Sequence, residues 1–218
     1  MISREDNMDR LEEIVERIRH TFDARNTARD RALAQARTLI RHCANAIRAV
    51  HRDEYDIAVE ELDQARALVS SLQADLAGFP DLYHAGYTQD ALKEFAEASL
   101  VFALVQNKGL PGPEVLGVEH ATDLQGLAEA AGELRRRCLD ILRHGHSEEA
   151  ERLLDHMDDI YAVLITMDYP DAITGGLRRL TDIVRGVTER TRGDMTISLR
   201  QARLEDHLQR LEDRLEKI

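Results

Sequence analysis

Two pairs of glutamates stand out for the residues around them. Glu94 and Glu97 lie in "ALKEFAEASLVFALV", where every residue from Phe95 to Val105 except Glu97 and Ser99 is apolar. Glu129 and Glu133 lie in "GLAEAAGELRRRC". Spacings of three and four put both members of a pair on one side of a helix. Four carboxylates converging in a partly apolar site are tolerated only if protons are retained or a cation binds. Hard divalent ions, Mg²⁺ or Mn²⁺, prefer such oxygen donors. They can activate water and stabilise the leaving oxygen in phosphodiester cleavage. Spacing alone does not decide the matter, because a chain with 41 acids contains many such pairs by composition. Two glycines, Gly126 and Gly132, flank the second pair. Each costs a helix roughly 0.5–1 kcal/mol relative to Ala, which predicts close approach of a backbone or a ligand.

A second feature is basic. Residues 17–52 hold nine Arg and two Asp, a net of +7 in a chain of −12, so the remainder carries −19. A local stripe outweighs the global sum because salt confines exposed charges to a range of about 10 Å. Arg37, Arg41 and Arg48, at steps of four and seven, share one side of a helix and suit a phosphate backbone. A solvated helix face is the plainer account of such a stripe. His51 and Arg52, which close it, read as C-terminal capping residues that could equally face a phosphate.

Other chemistries lack their residues. Ferritin-like di-metal bundles use Glu-x-x-His, and none of the nine His has Glu three residues before it. Asp81 and His84 come nearest, in a turn at Pro80. His144 and His146 straddle Gly145, a C-cap position that favours basic groups. There is no GxxxxGK[ST], no dinucleotide-binding glycine fingerprint and no GxSxG.

The elements that must position these residues are helices. Apolar periodicity predicts helices over about 4–20 and 23–52, which can run on as one kinked helix, with Leu11, Ile14, Ile18, Leu33, Ile40 and Ile47 inward. Further helices are expected over about 55–77 (Val59, Leu62, Ala65, Leu68, Leu72), 88–108 and 121–143 (Leu124, Leu127, Ala131, Leu134, Cys138, Ile141). Ser147 is a natural N-cap for another, with acids in its first turn. At the end, Leu204, Leu208, Leu211, Leu215 and Ile218 form a 4-3-4-3 seam suited to packing against another helix. Pro80, Pro111, Pro113 and Pro170 punctuate the series. No β pattern competes, and the reading is an all-α bundle of roughly seven helices in one domain, 1–218.

Composition agrees. Apolar residues make up 43% and aromatics 4%, with no Trp, so the core is aliphatic. Cys43 and Cys138 form no metal-like spacing and read as reduced thiols. No run approaches the ~20 apolar residues of a membrane span, and the N-terminus lacks a signal-peptide core. The expectation is a soluble, cytoplasmic protein without a membrane partner.

The chain resembles the translin family, which comprises translin and translin-associated factor X. The resemblance rests on a basic first half ending in "AVHR", on "FPDLYHAGYTQDALKEFAEASLVFAL", on "GLAEAAGELRRRC" and on a charged C-terminal helix. The segment "MDYPDAITGGLRRLTDIVRGVTERTRGDMTISLRQ" looks archaeal. The resemblance implies a seven-helix antiparallel, translin-like subunit in hollow homo-oligomers, commonly octamers. RNA or single-stranded DNA is then bound on an inner basic surface. In the factor X type, a carboxylate cluster makes a metal-dependent single-strand endoribonuclease, whereas translin binds without the full cluster. By motif, that cluster falls on Glu94, Glu97, Glu129 and Glu133. Glu129 stands where the factor X pattern has Asp, one methylene longer. The implied function is a Mg²⁺- or Mn²⁺-dependent endoribonuclease acting on single-stranded or structured RNA. The alternative is a non-catalytic RNA- or DNA-binding oligomer of the same fold.

Overall fold

The structure is a computed structural model that describes residues 4–145 and 147–215. Its described residues are helical, with no strand. Six helices are long: α1 (Arg4–His51), α2 (Tyr55–Leu76), α4 (Gly86–Val105), α6 (His120–Leu142), α7 (Glu148–Leu164) and α9 (Leu177–Leu215). Three single turns connect them: α3 (Pro80–Tyr83), α5 (Pro113–Leu116) and α8 (Asp171–Thr174). Each short turn begins at or just after a proline that interrupts the helical period, since Pro lacks the N–H a continuing helix needs. The two expected N-terminal helices run on as one, because nothing between residues 20 and 23 breaks the pattern.

Helix α4 is the centre. It is apolar on nearly every side and buries Leu92, Phe95, Val101 and Leu104 among others. Its first half packs with α1, α2 and α3 around Leu39, Leu72, Leu92 and Phe95. Its second half joins α6, α7 and α9 around Val101, Leu134, Leu153 and Met157. A tight turn between α1 and α2 places Asp53 in the left-handed region (φ 59°). Arg137 of α6 clamps that turn to α7, donating to Asp53 at 2.7 Å and to Glu149 at 3.0 Å.

Several local readings shift in detail. The buried face of α2 is Ala58, Ala65, Val69, Leu72 and Leu76, so Val59 points outward. Ser147 caps α7, its hydroxyl accepting from the Ala150 amide at 3.3 Å. The C-cap of α6 is Arg143, two residues ahead of Gly145, which takes φ 113°. His146 and Ile218 lie outside the described residues.

Both ends overhang the bundle. Met8, Leu11, Val15, Ile18 and Phe22 of α1 are exposed, as are Leu204, Leu208, Leu211 and Leu215 of α9. The first fully buried residue of α1 is Ala32 and the last of α9 is Met195. The expected inward Leu11 and Ile18 therefore meet no core of this chain, and the C-terminal seam stands open.

Candidate functional site

The four predicted acids come together where α4 crosses α6. Gly126 sets how closely. A Cβ there would stand 2.8 Å from the Ala96 Cβ, 2.9 Å from the Glu97 amide and 3.1 Å from the Lys93 carbonyl. Only a glycine lets α6 lie directly on the α4 backbone at the turn that carries Glu94 and Glu97. Gly132 meets nothing within 4 Å, so the close-approach reading holds for Gly126 and not for Gly132.

Glu94, Glu97 and Glu129 each offer a carboxylate oxygen, and these oxygens lie within 4.8 Å of one another. Glu97 is 8% exposed and has no hydrogen bond or ion pair among the described residues. Burial, reinforced by the fields of Glu94, Glu129 and Glu133, pushes its carboxyl up to about 8, so it holds a proton at neutral pH. Glu94 is also raised, chiefly by burial, with Lys93 opposing and Glu129 adding to the shift.

The fourth acid stands slightly apart. Glu133 is engaged by His51, whose Nε2 donates to its carboxylate at 2.5 Å. That hydrogen bond holds Glu133 below the usual carboxylate range despite its burial. The His51 side chain is buried at the end of α1, and its Nδ1 has no partner among the described residues. The capping reading of His51 is thus replaced by a contact to α6, which no local pattern announces because its partner is 82 residues away.

Lys93 is a residue that the spacing argument passed over. Its Nζ donates to Glu129 at 2.7 Å and lies 3.9 Å from Glu94. Burial opposes its charge, but Glu129, Glu94 and Asp90 together raise its pKa. Cys43 of α1 packs close enough for Glu94 and Glu97 to add to the burial that keeps its thiol protonated. Neither thiol is a disulfide partner, and Cys43 and Cys138 are both buried.

The donor set suits a hard divalent cation. Three carboxylates converge, one of them buried without any partner, and no thiolate competes with oxygen. Glu133, hydrogen-bonded to His51, borders the cluster and lies outside this group of three.

Arg37, Arg41 and Arg48 are exposed along α1 on the side that descends towards His51. Arg19, Arg25, Arg29 and Arg31 are engaged by acids. Among the described residues Arg37 and Arg41 make no such pair, and Arg48 meets only the Asn45 side chain. From Arg37 to His51 the helix rises about 21 Å.

Known proteins share this architecture. No protein-family model matches the chain. It is 30% identical over 190 residues to the uncharacterized protein MJ0175 of Methanocaldococcus jannaschii, covering 86% of this chain and 84% of that one. It is similar to the crystal structure of AfC3PO, at 32% identity and a TM-score of 0.79, over 89% of this chain and 99% of AfC3PO. AfC3PO has also been solved as a complex with duplex RNA, with the same TM-score of 0.79 and identity of 32%, over 89% of this chain and 98% of that one. Apo-NeC3PO, at 19% identity and a TM-score of 0.73 over 91% of this chain and 98% of its own, shares the fold. Among the described residues no helix is long and apolar enough to cross a membrane.

Proposed function

The chain belongs to the translin family, and from that premise we propose that it is a metal-dependent endoribonuclease working within a hollow homo-oligomer. One observation carries the catalytic part: buried, unpartnered Glu97 gathers with Glu94 of its own helix and with Glu129 across the contact that Gly126 permits. Glu94, Glu97 and Glu129 would hold Mg²⁺ or Mn²⁺. A divalent ion so held supplies Lewis acidity and charge neutralisation for hydrolysis of a phosphodiester.

The chain's own residues do the remaining work. Glu97, which carries a proton at neutral pH, would release it to solvent to serve as a ligand. Glu133 stays ionised through its His51 contact and keeps a negative edge beside the cluster. Arg37, Arg41 and Arg48 would hold phosphates of the strand along α1. AfC3PO has been solved with duplex RNA, which supports RNA as the ligand and a structured strand in particular. Oligomer contacts fall to the exposed seams Met8–Leu11–Val15–Ile18–Phe22 and Leu204–Leu208–Leu211–Leu215.

A second reading, a non-catalytic RNA-binding oligomer, is favoured by Lys93. With its ammonium on Glu129 and a proton on Glu97, the cluster is largely neutralised without any metal. The test incubates labelled single-stranded and duplex RNA with the purified protein and Mg²⁺, beside EDTA and Glu97→Gln controls. Cleavage that disappears in both controls is expected. RNA retained but uncut under all conditions would leave the binding oligomer as the function.

A further inference from the structure

Lys93 stands inside the carboxylate cluster. Its side chain is 17% exposed, and its Nζ spans from Glu129 at 2.7 Å to Glu94 at 3.9 Å. It thus links α4 to α6 through Glu129 and lies beside Glu94 of its own helix, two of the three candidate ligands. The third, Glu97, is 8% exposed and forms no ion pair with it. Among the described residues this buried carboxyl has no hydrogen-bond or ion-pair partner, so it offers a cation an oxygen that Lys93 does not engage.

The backbone cannot move Lys93 aside. Its carbonyl lies 3.1 Å from the point where a Gly126 Cβ would be, so α4 is seated on α6 at this residue. Only side-chain rotation can free Glu129 from the ammonium. In two-ion centres the second cation sits about 3.5–4 Å from the first. The Lys93 ammonium, 2.7 Å from Glu129 and 3.9 Å from Glu94, already stands at the two carboxylates that a second cation would have to share.

Building on the metal-site reading, we propose that Lys93 is the resident cation of this cluster, that it competes with a divalent ion for Glu129, and that it limits the site to one divalent ion. The metal-free protein then keeps α4 and α6 together at the cluster without burying uncompensated charge. Divalent binding has to displace Lys93 from Glu129. Its affinity is therefore set by a residue that is not a ligand. A monovalent charge a few ångströms from a divalent ion weakens binding by about tenfold even under water-like screening.

The experiment measures Mn²⁺ binding to the full-length protein by electron paramagnetic resonance and calorimetry. It compares wild type with Lys93→Met, Lys93→Gln and Lys93→Arg, and monitors each fold by circular dichroism and a cooperative melt. Wild type is expected to bind a single Mn²⁺ per chain. Lys93→Met and Lys93→Gln should bind about tenfold more tightly and accept a second ion, whereas Lys93→Arg should keep wild-type affinity. Neutral variants that fold normally and bind no more tightly than wild type overturn the inference, as does a wild type that takes two ions. If no variant and no wild type binds Mn²⁺, the metal site falls and the role of Lys93 with it. Intact RNA in the presence of the expected Mn²⁺ pattern overturns only the nuclease reading.

Discussion

Replacing Glu97 by Gln should remove a pH-dependent instability from the metal-free protein. The ordinary carboxyl value is 4.5 and the folded value is about 8, because burial and the neighbouring acids oppose ionisation. Below 4.5 the group is protonated in both folded and unfolded chains and contributes nothing. As pH rises above that, the unfolded chain ionises and the folded chain does not. Stability then falls by about 1.4 kcal/mol per pH unit. The loss amounts to about 3 kcal/mol at pH 7 and levels off once the folded group also ionises, near pH 8.

Gln introduces a cost of its own. A buried amide without partners destabilises by roughly 1–3 kcal/mol, but that cost does not depend on pH. The diagnostic is therefore the slope and not the offset. Urea unfolding of wild type and Glu97→Gln in EDTA at pH 5.5, 6.5 and 7.5 should show the difference shifting in favour of Gln by about 1.4 kcal/mol per unit. Mg²⁺ should restore wild type at the higher pH and leave the variant unchanged. Parallel pH profiles in EDTA would refute the claim that Glu97 is buried in its neutral form.

Three further outcomes follow from the geometry. Gly126→Ala forces its Cβ to within 2.8 Å of the Ala96 Cβ, and it should destabilise by about 1–3 kcal/mol despite better helix propensity; calorimetric melting measures this, and an unchanged melting temperature would contradict the close crossing. Arg37→Glu with Arg41→Glu should weaken RNA binding at least tenfold and flatten its log–log salt dependence by roughly 1.5, as two lost single-strand phosphate contacts require; filter binding across a salt series checks both, and an unaltered slope would remove α1 from the interface. Leu208→Arg with Leu211→Arg, on the exposed seam of α9, should lower the mass measured by light scattering while circular dichroism stays helical; an unchanged mass would show that this seam is not a subunit contact.

Much of this was legible in the sequence, for reasons that differ by element. Helices α4 and α6 announce themselves because their apolar residues recur at helical period and prolines bound the region. Glu97 is conspicuous because an acid in an otherwise apolar run has to be accounted for. Gly126 was readable as a close approach, but the same argument failed for Gly132, which is exposed. Lys93 and His51 were not readable as parts of the site. Their partners, Glu129 and Glu133, lie 36 and 82 residues away, so only the crossing of α4, α6 and the end of α1 creates those contacts. The apolar periodicity of the first turns of α1 and of the end of α9 was equally plain. Period identifies a face, however, and does not say whether the surface that covers it belongs to the same chain.

The charge pattern explains how a helical core holds four acids without metal. Lys93 compensates Glu129, His51 hydrogen-bonds Glu133, and Glu97 keeps its proton, so Glu94 is left with only the more distant Lys93 ammonium. Each device is local and each is reversible: a side chain rotates, a proton leaves. A divalent ion that recruits Glu97 must release that proton and compete with Lys93. Occupancy of the site should therefore rise with pH up to about 8, the range over which Glu97 passes from acid to ligand.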